Sequence, residues 1–99
     1  MISQVRWRSV AAKLHASDGS ADEALRLSAE AVQLVSTTDE VCSQGDVLAD
    51  AAEVQELLGN LGAAQVLLHD AALRYERKGA TAAVARLADR LEMPLDLTP

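Results

Sequence analysis

The sequence predicts an all-α domain of about five helices arranged as antiparallel helix hairpins. Three observations lead there. Apolar residues, mostly Leu and Ala, recur at three- and four-residue spacing along the chain, the period of a helix with one buried side. Breaks rich in Gly, Ser, Asp and Asn interrupt that period at Asp18-Gly19-Ser20, Ser36-Thr37-Thr38, Gly59-Asn60-Leu61-Gly62 and Gly79. Shifting the sequence by 40 residues lays like residues on one another. The 99 residues suffice for one domain, 1–99. Phe is absent and Trp7 and Tyr75 are the only aromatics. Such a composition packs helices closely on small side chains instead of on an aromatic core.

The first helix is predicted over about 3–16. Val5, the apolar part of Arg8, Ala12 and His15 recur at helical spacing, as do Trp7, Val10, Ala11 and Leu14, so both flanks are expected to be covered. Gly19 ends it, because glycine enters the left-handed conformation at little cost. Ser20 and Glu23 have the spacing of a capping box for the second helix, and Asp22 and Glu23 suit its positive end. Ala24, Leu27, Ala31 and Leu34 give it a buried face up to about Val35. Thr37 and Glu40 repeat the capping-box spacing before a third helix over about 39–58. Leu48, Ala51, Ala52, Gln55 and Leu58 of that helix point toward neighbours, with Val41 at its start. Gly45 is its weak point, at about 1 kcal/mol relative to Ala.

A fourth helix is predicted over about 63–77. Ala64, Leu67, Leu68, Ala71, Ala72 and Tyr75 lie on its buried side, and Gly79 stops it. The fifth, about 81–91, carries Val84, Leu87, Ala88 and Leu91. Pro94 disfavours helix at Met93, so regular structure ends there.

The matches at a shift of 40 fall where a hairpin needs them. Ala11-Ala12 falls on Ala51-Ala52, Gly19 on Gly59, Ala24 on Ala64, Leu27 on Leu67 and Ala31 on Ala71. Small residues stand where helices cross closely, and Gly stands where the chain reverses. One such unit cannot bury its own face, so units stack. This pattern resembles the tetratricopeptide-like repeats. The resemblance implies a right-handed array with repeat one over about 3–35, repeat two over about 39–78 and a capping helix over about 81–91. The period of 40 exceeds the family's usual spacing of roughly 34. The family's large aromatics are mostly replaced by Ala, Leu or His15, and no Pro closes a repeat. Tyr75-Glu76-Arg77-Lys78-Gly79, coming after such repeats, resembles the C-terminal repeat region of large bacterial ATPase, cyclase or transcriptional regulators. That resemblance implies a part of a larger regulatory protein.

The net charge of −6 disfavours nucleic acid as a partner, since such binding neutralises phosphates with Lys and Arg. No apolar run reaches the roughly 18 residues that span a bilayer, and no signal-peptide pattern opens the chain. Cys42 is the only cysteine, so no internal disulfide points to an oxidising compartment. The expected location is the cytoplasm, and frequent Ala and Arg suggest a GC-rich bacterial genome.

Charge is unevenly placed. No Lys or Arg occurs between Arg26 and Arg74, where Asp46, Asp50, Glu53 and Glu56 share one helix. These carboxylates read as a solvated face or as a surface for a basic partner. The tetratricopeptide resemblance implies a groove walled by the first helix of each pair. By that resemblance Arg6, Ser9 and Lys13 face Ala49, Glu53 and Glu56, with Asp46 nearby, basic at one end and acidic at the other. The Lys and Asn clamp that some relatives use for a terminal carboxylate is not matched, because Ser9 and Ala49 stand there.

No metal site or cofactor is expected: carboxylate sites in helix bundles use Glu-x-x-His pairs, and the chain has none. His15 and His69 each stand alone and read as interfacial. Cys42 reads as a small apolar residue more readily than as a reactive thiol. Trp7 reads as packing with Val10, Ala11 and Leu14, the other reading being an anchor for a partner. No phosphate loop, nucleophile elbow or Cys-x-x-Cys occurs. The expected function is therefore non-catalytic binding of a protein or peptide segment. Self-association as a homodimer is the alternative, and a small helical enzyme is a distant third.

Overall fold

The computed structural model describes residues 2–38 and 41–91, with side chains for 4–38 and 43–91. Five helices run α1 (Ile2–Ser17), α2 (Ala21–Ser36), α3 (Val41–Leu57), α4 (Leu61–Arg77) and α5 (Thr81–Ala88). No strand occurs among the described residues. α1 pairs with α2 and α3 with α4. α3 also packs against both helices of the first pair, and α5 packs on α4. The extents of 41 × 29 × 17 Å fit a slab two helices thick, since a helix with side chains is about 10 Å across.

Three of the four helix junctions are the same turn. Gly19, Gly59 and Gly79 have φ of 83°, 83° and 72°, the conformation expected of them. The N–H of each glycine donates to the carbonyl three residues back: Ala16, Glu56 and Glu76. The next N–H reaches five back: Ser20 to His15 at 2.8 Å, Asn60 to Gln55 at 2.8 Å, Ala80 to Tyr75 at 2.9 Å. This pair of bonds is the Schellman motif, and it satisfies carbonyls that a helix end would otherwise leave open. The following helix starts at once, because the carbonyls of Ser20, Asn60 and Ala80 accept from Ala24, Ala64 and Val84. That is why α4 begins at Leu61 and not at 63.

The capping box expected at Ser20 and Glu23 does not form. Ser20 makes no side-chain cap bond. Its N–H, which Glu23 would need, is already donated to His15. Glu23 instead pairs with Arg26. The Thr37 hydroxyl donates to the Leu34 carbonyl at the end of α2, at 2.8 Å, and its expected box partner Glu40 lies outside the described residues. Ser36 and Thr38 likewise donate to Val32 and Val35, so the α2–α3 link is closed by hydroxyls where the other three use glycine. Asp39 and Glu40, the Val41 and Cys42 side chains and Met93-Pro94 lie outside the described residues.

The expected faces of α2, α3 and α4 are buried at Ala24, Leu27, Ala31, Leu48, Ala51, Ala52, Ala64, Leu68, Ala71, Ala72 and Tyr75. α1 departs from expectation. Only one flank is covered: Val5, Ser9, Ala12 and Ala16 are buried, whereas Trp7, Val10 and Leu14 are 48, 50 and 62% exposed. α2 and α3 both pack on the same side of α1, so no described helix reaches the other. Trp7 does not pack into the hairpin. Its indole donates to Gln4, and the Arg8 guanidinium stacks 4.5 Å from its ring.

Gly45 is no defect of α3. A Cβ there would stand 2.8 Å from Tyr75 Cε1, so the missing side chain makes room for the ring. α5 is shorter than the expected 81–91. After Ala88 the chain tightens into i→i+3 bonds, Arg90 N–H to Leu87 and Leu91 N–H to Ala88. Gln65 then donates to the Arg90 carbonyl at 3.0 Å, and Arg90 reaches Glu56 at 2.6 Å.

Candidate functional site

α1, α3 and α5 lie on one side of the slab and wall a groove of about 570 Å³. That size lies within the range of ligand pockets, roughly 300–1,000 Å³. Arg6 and Val10 line it from α1, Asp46, Ala49 and Asp50 from α3, and Ala83, Arg86, Leu87 and Arg90 from α5 and its C-terminal turn. Tyr75 of α4 closes its floor. A smaller recess of about 150 Å³ opens beside it between α1 and α3. It is lined by Val5, Ser9, Val35, Thr38, Ser43 and Val47, and shares Arg6, Val10, Asp46 and Asp50 with the groove.

The local sequence explains this arrangement. Helical spacing places Arg6, Ser9, Val10 and Lys13 along the α3-facing side of α1. Asp46, Ala49, Asp50 and Glu53 likewise form one side of α3. Lys13 lies 2.9 Å from Asp50 and 3.9 Å from Glu53. Lys13, expected to face Ala49, Glu53 and Glu56, is paired chiefly with Asp50, a residue outside that expectation.

Glu56 departs from that scheme. It faces Arg90 at the far end of the molecule and not the basic residues of α1. Ser9 is 6% exposed, so it is the wall of the recess and not a surface contact. Ala49 is half-buried, packed against the core of the second hairpin, and leaves the groove shallow there. Thus Arg6, Ser9, Lys13, Asp46, Ala49 and Glu53 fall on the two facing helices, and Glu56 serves the α5 end.

Electrostatics divides these groups into used and unused charges. Asp46 accepts the Tyr75 hydroxyl. Burial first, and then that carboxylate, hold the Tyr75 hydroxyl well above its ordinary pKa of 10.0, so it stays a neutral donor. Asp50 and Glu56 are each paired with a cation. Arg6 and Arg86 line the groove from opposite walls, and neither makes an ion pair among the described residues. Arg6 and Arg86 thus lack a carboxylate partner, while Asp46 keeps the charge that its bond to a neutral hydroxyl does not cancel, and Val10, Ala49, Ala83 and Leu87 line the groove between them.

On the far side of the α1–α2 hairpin, Glu30 joins Arg8 and Arg26, and Glu23 joins Arg26. These hydrogen-bonded cations hold both carboxyls below the ordinary carboxylate value.

The third wall was missed by sequence reasoning. Its signal was present: carried forward once more, the shift of 40 lays Arg86 on Asp46, Leu87 on Val47 and Arg90 on Asp50. Among the described residues, no group of three or more His, Cys, Asp and Glu side chains is placed to hold a metal ion. His15 and His69 are half-buried and lie on different hairpins. No described helix is long and apolar enough to cross a membrane. In comparisons with known proteins, no family model, no curated protein and no solved structure matches the chain.

Proposed function

We propose that the chain is a non-catalytic interaction module of tetratricopeptide type that holds a protein segment in the groove between α1, α3 and α5. The observation that carries the reading is the groove itself, to which three helices bring Val10, Ala49, Ala83 and Leu87 between Arg6 and Arg86, neither of them ion-paired among the described residues. A segment with an acidic side chain flanked by apolar ones complements that lining. The basic partner suggested by the acidic stretch of α3 is less well supported, because Asp50 and Glu56 are already paired with cations within the fold. The resemblance carried by 75–79 supports a place in a larger bacterial regulatory protein.

The test is selection of peptides from a random display library on the 99-residue protein, followed by the Arg6→Glu, Arg86→Glu double variant. The selected peptides are expected to carry Asp or Glu beside apolar residues. The variant should bind them about tenfold or more weakly with unchanged circular dichroism. Peptides bound equally by the variant, or selected without acidic residues, would overturn the proposed groove.

A further inference from the structure

Positions forty residues apart show what the outer face of α1 is built for. On α3, Val47, Ala51 and Val54 are 6, 5 and 1% exposed. Val47 completes a cluster with Val5, Ala31 and Val35, and Val54 completes one with Ala12, Ala16, Ala24 and Leu27. These positions, i, i+4 and i+7, are the face by which α3 docks on the α1–α2 hairpin. α5 repeats part of the arrangement one step on, packing on α4 alone. Leu87, forty residues after Val47, is buried against the second hairpin with Leu48, Leu68 and Tyr75, and Leu91, forty after Ala51, packs on the same cluster.

Counting back by forty from Val47, Ala51 and Val54 gives Trp7, Ala11 and Leu14. α1 is apolar at all three, as α3 is. Yet Trp7 is 48% and Leu14 62% exposed. Ala11 is partly covered by the interior of its own hairpin, but no described helix covers Trp7 and Leu14 on either side of it.

We propose that the face of α1 formed by Trp7, Ala11 and Leu14 receives a further helix hairpin of the same register, joined ahead of α1. This hairpin would sit against α1 as the α1–α2 hairpin sits against α3. The proposal rests on the repeat reading of the fold and not on what the groove binds. The occupant's chemistry follows from the established interface of which this face is the continuation. It is an antiparallel helix pair with branched apolar residues where Val5, Leu27 and Val35 stand, and alanines where Ala12 and Ala31 stand. A second copy of this chain is the poorer fit. Its two hairpin faces of this kind are already occupied, one by α3 and the other by α5.

The test extends the protein at its own period. Residues 1–40 are duplicated ahead of Met1, with the added tryptophan replaced by Phe so that the resident Trp7 alone reports. Docking predicts a blue-shifted Trp7 emission, weaker acrylamide quenching and a higher urea midpoint than the 99-residue protein. Leu14→Glu in the resident α1 should reverse these changes in the extended chain and leave the midpoint of the unextended one unmoved.

Trp7 is larger than Val47 and can crowd the added hairpin. A second extended chain therefore carries Trp7→Val and Leu14→Val, matching α3, and is read by helical signal and urea midpoint. Three results would each overturn the proposal. One is an exposed Trp7 beside a folded extension. The second is no gain in helix or midpoint in either extended chain. The third is light scattering that shows the unextended protein as a dimer with Trp7 shielded, which would assign the face to a second copy.

Discussion

The α1–α2 and α3–α4 hairpins close with the same glycine turn but fill their interiors differently. Between α3 and α4 a single cluster runs from Leu48 and Ala52 through Leu68, Ala71 and Ala72 to Tyr75, and α5 adds Ala83 and Leu87. Between α1 and α2 the interior is split in two. One part is Ala12, Ala16, Ala24 and Leu27, the other Val5, Ala31 and Val35, and each is completed by one valine of α3. The second hairpin owns its core, whereas the first borrows part of its core from the second. α3 is thus shared between two interiors, with Leu48 and Ala52 facing one and Val47 and Val54 facing the other.

The comparison can be broken most severely at Leu68, which is fully buried at the centre of the larger cluster. Leu68→Ala should cost about 2–5 kcal/mol, a large fraction of the stability of a domain this size. The measurement is the urea midpoint, and both hairpins should unfold together because α3 serves both.

Val54 sharpens the contrast. Val54→Ala removes two buried carbons, for about 2 kcal/mol, and the loss should be uneven. Hydrogen exchange is expected to accelerate in α1 and α2 more than in α4. Equal acceleration throughout would show that the first hairpin does not depend on this valine.

The smallest effect is expected at Tyr75. Tyr75→Phe removes the hydroxyl bond to Asp46, worth about 1 kcal/mol near pH 7. The pH dependence carries more information. The folded-state pKa of Tyr75 is raised above its ordinary 10.0. Its contribution is therefore complete below that value and is lost as pH rises through it toward the folded one, because the unfolded chain ionises first. Urea midpoints of the wild type should fall more steeply above pH 10 than those of Tyr75→Phe, closing the gap between them.

The helices and three turns were legible in sequence because their causes are local. Gly19, Gly59 and Gly79 stand where only a left-handed residue continues the chain, and the Ala-Leu-Ala series marks a buried stripe. What could not be read depends on partners distant in sequence. Periodicity gives α1 two apolar rows but does not say that α2 and α3 crowd onto one of them, leaving Trp7 and Leu14 uncovered. Gly45 looked like a weak helix position because the Tyr75 ring that needs the space comes from another helix. The capping box at Ser20 failed for a related reason: the preceding turn had already taken its N–H.

For the groove, walls on α1 and α3 at Arg6, Ser9, Lys13, Asp46, Ala49 and Glu53 were an expectation from the tetratricopeptide resemblance and not from spacing. Which charges stay uncommitted followed only from their pairing in three dimensions. Asp50, not Glu56, takes Lys13, and Glu56 goes to Arg90.

The glycine turns also govern how the chain reaches this fold. Each joins two helices through a few residues, so most pairings are between neighbours in sequence and their loops close at little entropic cost. Helical chains of this kind fold in microseconds to milliseconds. Here the two hairpins start from unequal positions. The α3–α4 hairpin holds its own interior and can form early. The α1–α2 hairpin gains most of its reward only when Val47 and Val54 arrive. Assembly should therefore run from the C-terminal hairpin toward the N-terminal one, against the direction in which a ribosome releases the chain.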